Sequence, residues 1–367
     1  MRRESQADLD LPEVSRRFAS THNGPVLITG GAGFIGTNLA HRLLSAGRSV
    51  LLFDNLSRAG VEENLRWLVE THGDLVEVQL GDVRNAVAVR KVVLRASAVF
   101  HFAAQVSVSN SLTKPFVDFE VNARGTLNVL EALRARQSPP PLVFSSTNKV
   151  YGTLADIRVL SLEGRYQPEK YAIRANGVAE KQALEFRSPY GCSKGAGDQY
   201  VLDYARTFRL PAVVFRLSCV FGPHQVASEH QGWITHFLMR AIQNCAITIY
   251  GDGMQVRDGL FIDDLVKALL IAQGTTNTLA GRAFNIGGGP SNAISLLELI
   301  EIINKTTGRR CEVKFDAWRP ADQRYYVSDT RSFQRATGWS PRIGLRTGVE
   351  KVYDWLKDYR LANGNMD

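Results

Sequence analysis

Cysteine is scarce and scattered. Cys192, Cys219, Cys245 and Cys311 show no CxxC spacing, so neither a zinc ligand set nor a disulfide framework is indicated, and reduced structural thiols without a bound metal are expected. Long hydrophobic runs are missing too. None approaches the roughly eighteen apolar residues of a membrane span. The opening stretch MRRESQADLDLPEVSRRFASTHNG is polar and lacks the apolar centre of a signal peptide, so residues 1–24 read as a mobile tail and the cytoplasm is the expected compartment. The formal charge is +8, yet the basic residues are spread along the chain rather than clustered with aromatics. That distribution argues against a nucleic-acid surface, while a small phosphate-bearing partner remains compatible with it.

What is present begins with PVLITGGAGFIGTNLAHRLLSAGRSVLLFDN. A buried-strand pattern from Val26 to Thr29 passes through glycines into a helical pattern carrying Leu39, Leu43 and Leu44. A second apolar run, Val50 to Phe53, completes a βαβ unit. The glycines satisfy two overlapping spacings, Gly30, Gly33 and Gly36 or Gly31, Gly33 and Gly36. Without side chains they permit a tight turn and let a diphosphate approach the amides of a helix N-terminus. Asp54 closes the second strand, where a carboxylate accepts from an adenosine ribose and repels a 2′-phosphate, so NAD is preferred over NADP, with Arg58 nearby as the dissenting charge.

Two further strand endings follow. VEVQLGDVR places Asp82 and Val83 where an adenine would lie. AVFHFAAQVSVS ends in Phe102, Ala103 and Ala104, small enough to let a cofactor pass the backbone. A helical segment, Phe116 to Arg134, contains Asn122, and Pro141 then begins the strand LVFSSTNKVYG. Strands alternating with helices predict a parallel, doubly wound α/β sheet, a Rossmann arrangement whose ligand sits beyond the carboxyl ends of the strands.

In SPYGCSKGAGDQYVLDYA, Tyr190 and Lys194 lie four apart, on one face of a helix. An ammonium beside a phenol, near a cationic nicotinamide, is expected to lower the phenol's pKa from about 10 toward neutrality, so that it removes a hydroxyl proton as hydride leaves the same carbon.

At these residues the chain resembles the extended short-chain dehydrogenase/reductase family, in the branch that acts on nucleotide sugars. GGAGFIG, FHFAA, SSTNKVYG and YGCSK match its cofactor loop, central strand, catalytic hydroxyl strand and Tyr-Lys pair, and the likeness runs from about Val26 to the C-terminus. The resemblance implies that Thr147 bonds the reacting hydroxyl beside Tyr190 and Lys194. It also implies that NAD is held by Gly30, Gly33, Phe34, Ile35, Gly36, Asp54, Asn55, Asp82, Val83, Phe102, Ala103, Ala104, Gln105, Asn122 and Ser145, with Tyr190 and Lys194. Members that eliminate water usually carry Asp-Glu after that Thr, to serve the leaving hydroxide and the carbon acid. Here Asn148 and Lys149 stand in those places, so a 4,6-dehydratase is not expected.

Within the branch, SSTNKVYG, NGVAE with FRSPYGCSKGAGDQY, FGPHQVASEHQGWITHF and YGDGMQVRDGLFIDDL most resemble the CDP-paratose/CDP-tyvelose 2-epimerases, QGWI (Gln231–Ile234) above all. That implies oxidation of carbon 2 of a CDP-hexose and return of hydride to the opposite face. A UDP-sugar 4-epimerase is the alternative, and Pro223, His224 and Arg187 depart from the pattern. Implied substrate contacts are Ser107, Thr147, Asn148, Lys149, Ser218, Gln231, Gly232, Trp233, Arg257 and Arg324. Asn148 and Lys149 equally suit a polar strand tip, Arg257 and Arg324 structural ion pairs, and Trp233 a core aromatic.

The expected division is a cofactor domain over 25–218, with 258–287 returning to it, and a smaller α/β substrate lobe over 219–257 and 288–367. SLLELIEIINKTTG and RTGVEKVYDWLKDYR read as amphipathic helices closing over the substrate. In family members the helices matching Phe116–Arg134 and Tyr190–Phe208 form a four-helix seam, which implies a homodimer. The same faces would also suit packing on the sheet.

Overall fold

The computed structural model describes residues 24–229 and 231–362, so the expected N-terminal tail lies outside the described residues except for Gly24. The chain begins with β1 (Val26–Thr29), β2 (Val50–Asp54), β3 (Val76–Leu80), β4 (Ala98–His101) and β5 (Leu142–Thr147), with helices between them. A hairpin of β6 (Val159–Leu162) and β7 (Arg165–Pro168) fills part of the long polar run before Tyr190. There follow β8 (Ala212–Leu217), β9 (Cys219–Phe221), β10 (Ile247–Tyr250), β11 (Val256–Phe261), β12 (Ala283–Ile286), β13 (Ala293–Ser295), β14 (Val313–Asp316) and β15 (Tyr325–Tyr326).

A seven-stranded sheet runs in the order β12-β8-β5-β4-β1-β2-β3, every neighbouring pair parallel. Alternation along the inner strands supplies both faces. Ile28, Leu52, Phe100, Val143 and Phe215 point into one core, and Leu27, Leu51, Phe53, Val99, Phe144 and Val214 into the other. Burial on both faces is why these strands read as continuous apolar runs. The strand order reverses between β1 and β4, opening a crevice at their carboxyl ends. This is the doubly wound α/β fold. A smaller sheet, β13-β11-β15 with β9 on β11, and the β10–β14 pair lie beyond it.

The segment read as one helix from Phe116 to Arg134 is Pro115–Phe119, a π-helical turn Glu120–Arg124 and Gly125–Arg134. The helix carrying Tyr190 runs Ser188–Thr207. Phe116, Phe119, Tyr200 and Phe208 stand exposed, so the outer faces of these helices are not consumed by the sheet. The C-terminal helices Leu296–Thr307 and Leu345–Ala362 bury their apolar faces. Their apolar residues Leu299, Ile303, Val349 and Val352 enter the core beside helix Trp233–Ile242. An amphipathic stripe reports that a face is buried and not what it is buried against. No described helix is long and apolar enough to cross a membrane, and among the described residues no cluster of His, Cys, Asp or Glu is placed to hold a metal ion.

Candidate active site

The loop between β1 and helix Phe34–Ser45 fits a dinucleotide. Gly30 has φ +69°, and a Cβ there would fall 2.7 Å from the backbone nitrogen of Ala103. A Cβ on Gly36 would fall 2.4 Å from the Gly30 carbonyl. The three glycines therefore bring loop, helix and the β4 ending into mutual contact, leaving backbone as the only surface a phosphate meets. Gly33 caps the helix without a side-chain hydrogen bond, so the amides of the first turn, including Phe34 and Ile35, keep the positive end that attracts an anion. Asp54 accepts from the amides of Ala32 (3.1 Å) and Leu56 (2.9 Å). Its carboxyl is pushed up by burial against those bonds, and each oxygen retains a lone pair for a ribose hydroxyl. Arg58 does not oppose it: the guanidinium turns away to the Gln231 side-chain oxygen and the Val226 carbonyl.

Asp82 is engaged by Arg84 through two nitrogens, at 2.9 and 2.7 Å, and by Asn55 Nδ2 at 2.8 Å. Those bonds, Arg84 first, hold its carboxyl at about 2. Val83 is buried against Gly125, and its carbonyl accepts from Asn128. Phe102, Ala103 and Ala104 line the crevice, half-buried. Asn122 lies within the π turn. Its Oδ1 accepts from the Gln105 amide at 2.8 Å, and its Nδ2 donates to the Gln105 carbonyl, Asp118 and Ser193. The extra residue of a π turn re-aims a side chain, here onto the loop leaving β4. Ser107 caps the next short helix and donates its amide to Gln105.

The strand run ends at Thr147, whose Oγ1 accepts from the Lys149 amide at 3.2 Å and caps the turn Asn148–Tyr151. The Thr147 hydroxyl also stands beside the Tyr190 phenol, where it favours the charged form. Lys194 is 3 % exposed, its ammonium donating to the Ser145 carbonyl at 2.6 Å and lying 4.5 Å from the Phe144 ring centroid. Ser145 Oγ in turn donates to the His101 carbonyl. The structure therefore brings Thr147, Tyr190 and Lys194 together. Burial raises the Tyr190 phenol to about 12, and the Thr147 hydroxyl opposes this only in part. In the chain alone Lys194 points its proton at Ser145, so burial decides the phenol's pKa.

Burial also lowers the Lys194 ammonium to about 8, against the pull of Asp198 and Asp118. An ammonium whose folded pKa lies below its unfolded value destabilises the fold at low pH, and the penalty fades as pH rises from about 8 towards 10. Lys194→Met, stripped of cofactor, is therefore expected to melt a few degrees above the equally stripped parent at pH 7, the gap closing towards pH 10. Thermal melts across that range check this; a less stable variant at pH 7 refutes it.

At the other side of Thr147, Asn148 is buried and Lys149 reaches Asp322 at 3.2 Å. Arg257 reaches the same Asp322 oxygen at 2.8 Å and also donates to the carbonyls of Gln323 and Val256. Burial pushes the Asp322 carboxyl up, but Lys149 and Arg257 together pull it down to about 2. The expected fork of Arg257 is thus already paired, and burial lowers the Lys149 ammonium in spite of Asp322. Cys219 stands here too, accepting from Trp233 Nε1 at 3.3 Å, so this thiol belongs to the site. Ser218 donates to Asp258. Arg324 is exposed and lies over the Tyr166 ring of the hairpin, its backbone carbonyl accepting from the Val256 amide next to Arg257. Gln231 turns to Arg58, on the cofactor side, and Gly232 packs on Gln225.

With that geometry in view, comparison with known proteins is decisive for the family. The model of the NAD dependent epimerase/dehydratase family matches residues 26–287. The chain belongs to that family. A CDP-paratose 2-epimerase of Salmonella typhi is 42% identical over 337 residues, 90% of this chain and 98% of the relative. A putative UDP-glucose 4-epimerase of Methanocaldococcus jannaschii is 31% identical, covering 91% and 98%. The solved UDP-glucose 4-epimerase of Thermus thermophilus in complex with NAD superposes with a TM-score of 0.75 at 29% identity, over 91% of this chain and 99% of that one. As a member of the NAD dependent epimerase/dehydratase family the chain takes NAD as its cofactor, and the glycine cradle and Asp54 fit it.

Several residues of the site escaped sequence reasoning. Asp118 lies four before Asn122, a helical spacing that was available as a signal, and Ser193 lies inside YGCSK. Asp322, Asp198 and Arg216 carried no local signal.

Proposed function

We propose that this enzyme inverts carbon 2 of a CDP-hexose. The observation that carries the reading is the 42% identity, over nearly the whole chain, to a CDP-paratose 2-epimerase, set against 31% to a putative UDP-glucose 4-epimerase. The polar strand tip supports it: Asn148 and Lys149 follow Thr147 where an elimination requires an acid and a base.

Bound NAD supplies a hydride acceptor that gives back what it receives, so only configuration changes. Tyr190 takes the proton of the carbon-2 hydroxyl and later returns one. Thr147, beside Tyr190, holds that oxygen in line. Lys194, buried behind the strand tip, supplies the positive charge that favours phenolate once it turns from Ser145. Lys149 and Arg257 take the diphosphate, which shares or displaces Asp322. Asn148, with Ser107, Ser218 and Trp233, shapes the sugar and ribose walls. Residues 25–218 with 258–287 hold the cofactor, and 219–257 with 288–367 hold the substrate. The exposed faces of helices Pro115–Phe119 and Ser188–Thr207 pair two copies.

A panel of CDP- and UDP-hexoses incubated in deuterium oxide tests the reading. Inversion at carbon 2 of a CDP-hexose without solvent deuterium at that carbon is expected. Inversion at carbon 4 of UDP-glucose instead would replace this assignment with that of a 4-epimerase.

A further inference from the structure

Beyond the reacting end, three loops meet in a cluster that the reading above does not use. Tyr250 closes β10, and its hydroxyl donates to Glu229 Oε1. Arg319 lies over the Tyr250 ring, its guanidinium carbon 3.9 Å from the centroid, and its Nη2 donates to the Glu229 carbonyl at 2.8 Å. Next to it the Trp318 indole packs on Gly251, where φ is +88° and a Cβ would fall 2.7 Å from the ring, while Trp318 itself remains 40% exposed. A carboxylate, a guanidinium and an open aromatic face are thus gathered at one place by residues 21 to 90 positions apart in the chain.

This cluster continues the line of the active site. Asp322 is tied back to the Arg319 carbonyl by a backbone turn, and Asp322 is the residue that gathers Lys149 and Arg257. Lys149 follows Thr147 by two positions. Passing from Thr147 through the two cations to Arg319 meets groups suited in turn to hydroxyls, to phosphates and to a flat ring with a polar edge. That is the order of sugar, diphosphate and base in a nucleotide sugar.

We propose that Glu229 and Arg319 read the base and select cytosine. This rests on the nucleotide-sugar reading above but concerns the base and not the carbon inverted. Cytosine offers an exocyclic amine beside two acceptors, the ring N3 and O2. A carboxylate accepts from the amine and a guanidinium donates to the acceptors, whereas uracil or thymine places a carbonyl oxygen against the carboxylate and is repelled. Tyr250 holds Glu229 through one carboxylate oxygen, leaving the other to accept. The exposed face of Trp318 gives the base a surface for stacking.

The test is calorimetric titration of the NAD-loaded protein with CDP and with UDP, neither carrying a sugar. The parent is expected to bind CDP about tenfold or more tightly than UDP. Glu229→Gln is expected to bring the two within about threefold, chiefly by weakening CDP, with NAD content unchanged. Arg319→Ala is expected to weaken both nucleotides, since both carry O2. Equal affinities in the parent, or an unchanged ratio in Glu229→Gln, overturn the proposal. If the ratio behaves as expected while no CDP-hexose is inverted at carbon 2, the reaction assignment falls and the base assignment stands.

Discussion

Tyr190→Phe is expected to lower turnover of a CDP-hexose by about 10²–10⁴-fold while the purified protein still carries NAD. The substitution removes one hydroxyl and leaves the ring, which is buried and packed beside Thr147, so the fold loses little. The chemistry loses the group that moves the hydroxyl proton. The phenol is held at about 12 in the chain alone, far from the working range of a general base. The pH–rate profile should therefore report how far the loaded site brings that value down. The expected profile rises with pH to a plateau below the phenol's unperturbed value of about 10, and the rising limb is absent from the residual activity of the Tyr190→Phe variant. Turnover within tenfold of the parent, with NAD bound, would remove Tyr190 from the proposed role.

The second large effect concerns stability. Asp198, on the Tyr190 helix, takes Arg216 of β8 through both oxygens at 2.9 Å, and the two side chains are 0% and 5% exposed. Arg216 Nη1 continues to the Tyr151 hydroxyl at 3.1 Å, and that hydroxyl donates to Asn285 of β12 at 2.7 Å. One buried network therefore fastens the helix that bears Tyr190 and Lys194 to two strands and to the turn that follows Thr147. Asp198→Ala leaves a guanidinium buried without its carboxylate and is expected to cost about 3–5 kcal/mol. The double variant Asp198→Leu, Arg216→Met removes both charges and is expected to recover most of that loss. Denaturant unfolding of parent, single and double variants measures both. A single-variant loss under about 1 kcal/mol, or a double variant no better than the single, contradicts this account.

The cofactor half of the site was legible because its information is local. Gly30, Gly33, Gly36 and Asp54 fall within one βαβ unit, where strand, turn and helix follow each other in register, and the spacing of a motif there is also its geometry. Tyr190 and Lys194 were legible for the same reason, since four residues on a helix set their common face. Asn122 was placed in a helix, correctly, but the π turn around it was not foreseen. Helical periodicity continues through 116–134, and the turn goes with bonds to Gln105 and Ser193 from other elements. A strand end tells where the backbone goes and leaves a long side chain several partners, which left the contacts of Arg324 open. It lies over Tyr166.

From the residues alone followed the alternation of strands and helices, the dinucleotide loop, the hydroxyl-rich end of β5 and the Tyr-Lys pair, all set by neighbours in the chain. Tertiary structure alone decided the charge environment. Asp322 lies 173 positions from Lys149 and 65 from Arg257, yet one carboxylate serves both. Burial, a property of the assembled core, raises the Tyr190 phenol and lowers the Lys194 ammonium in the chain alone. Spacing along a chain sets which side chains can meet, but the cost of a charge depends on how much water the rest of the fold leaves around it.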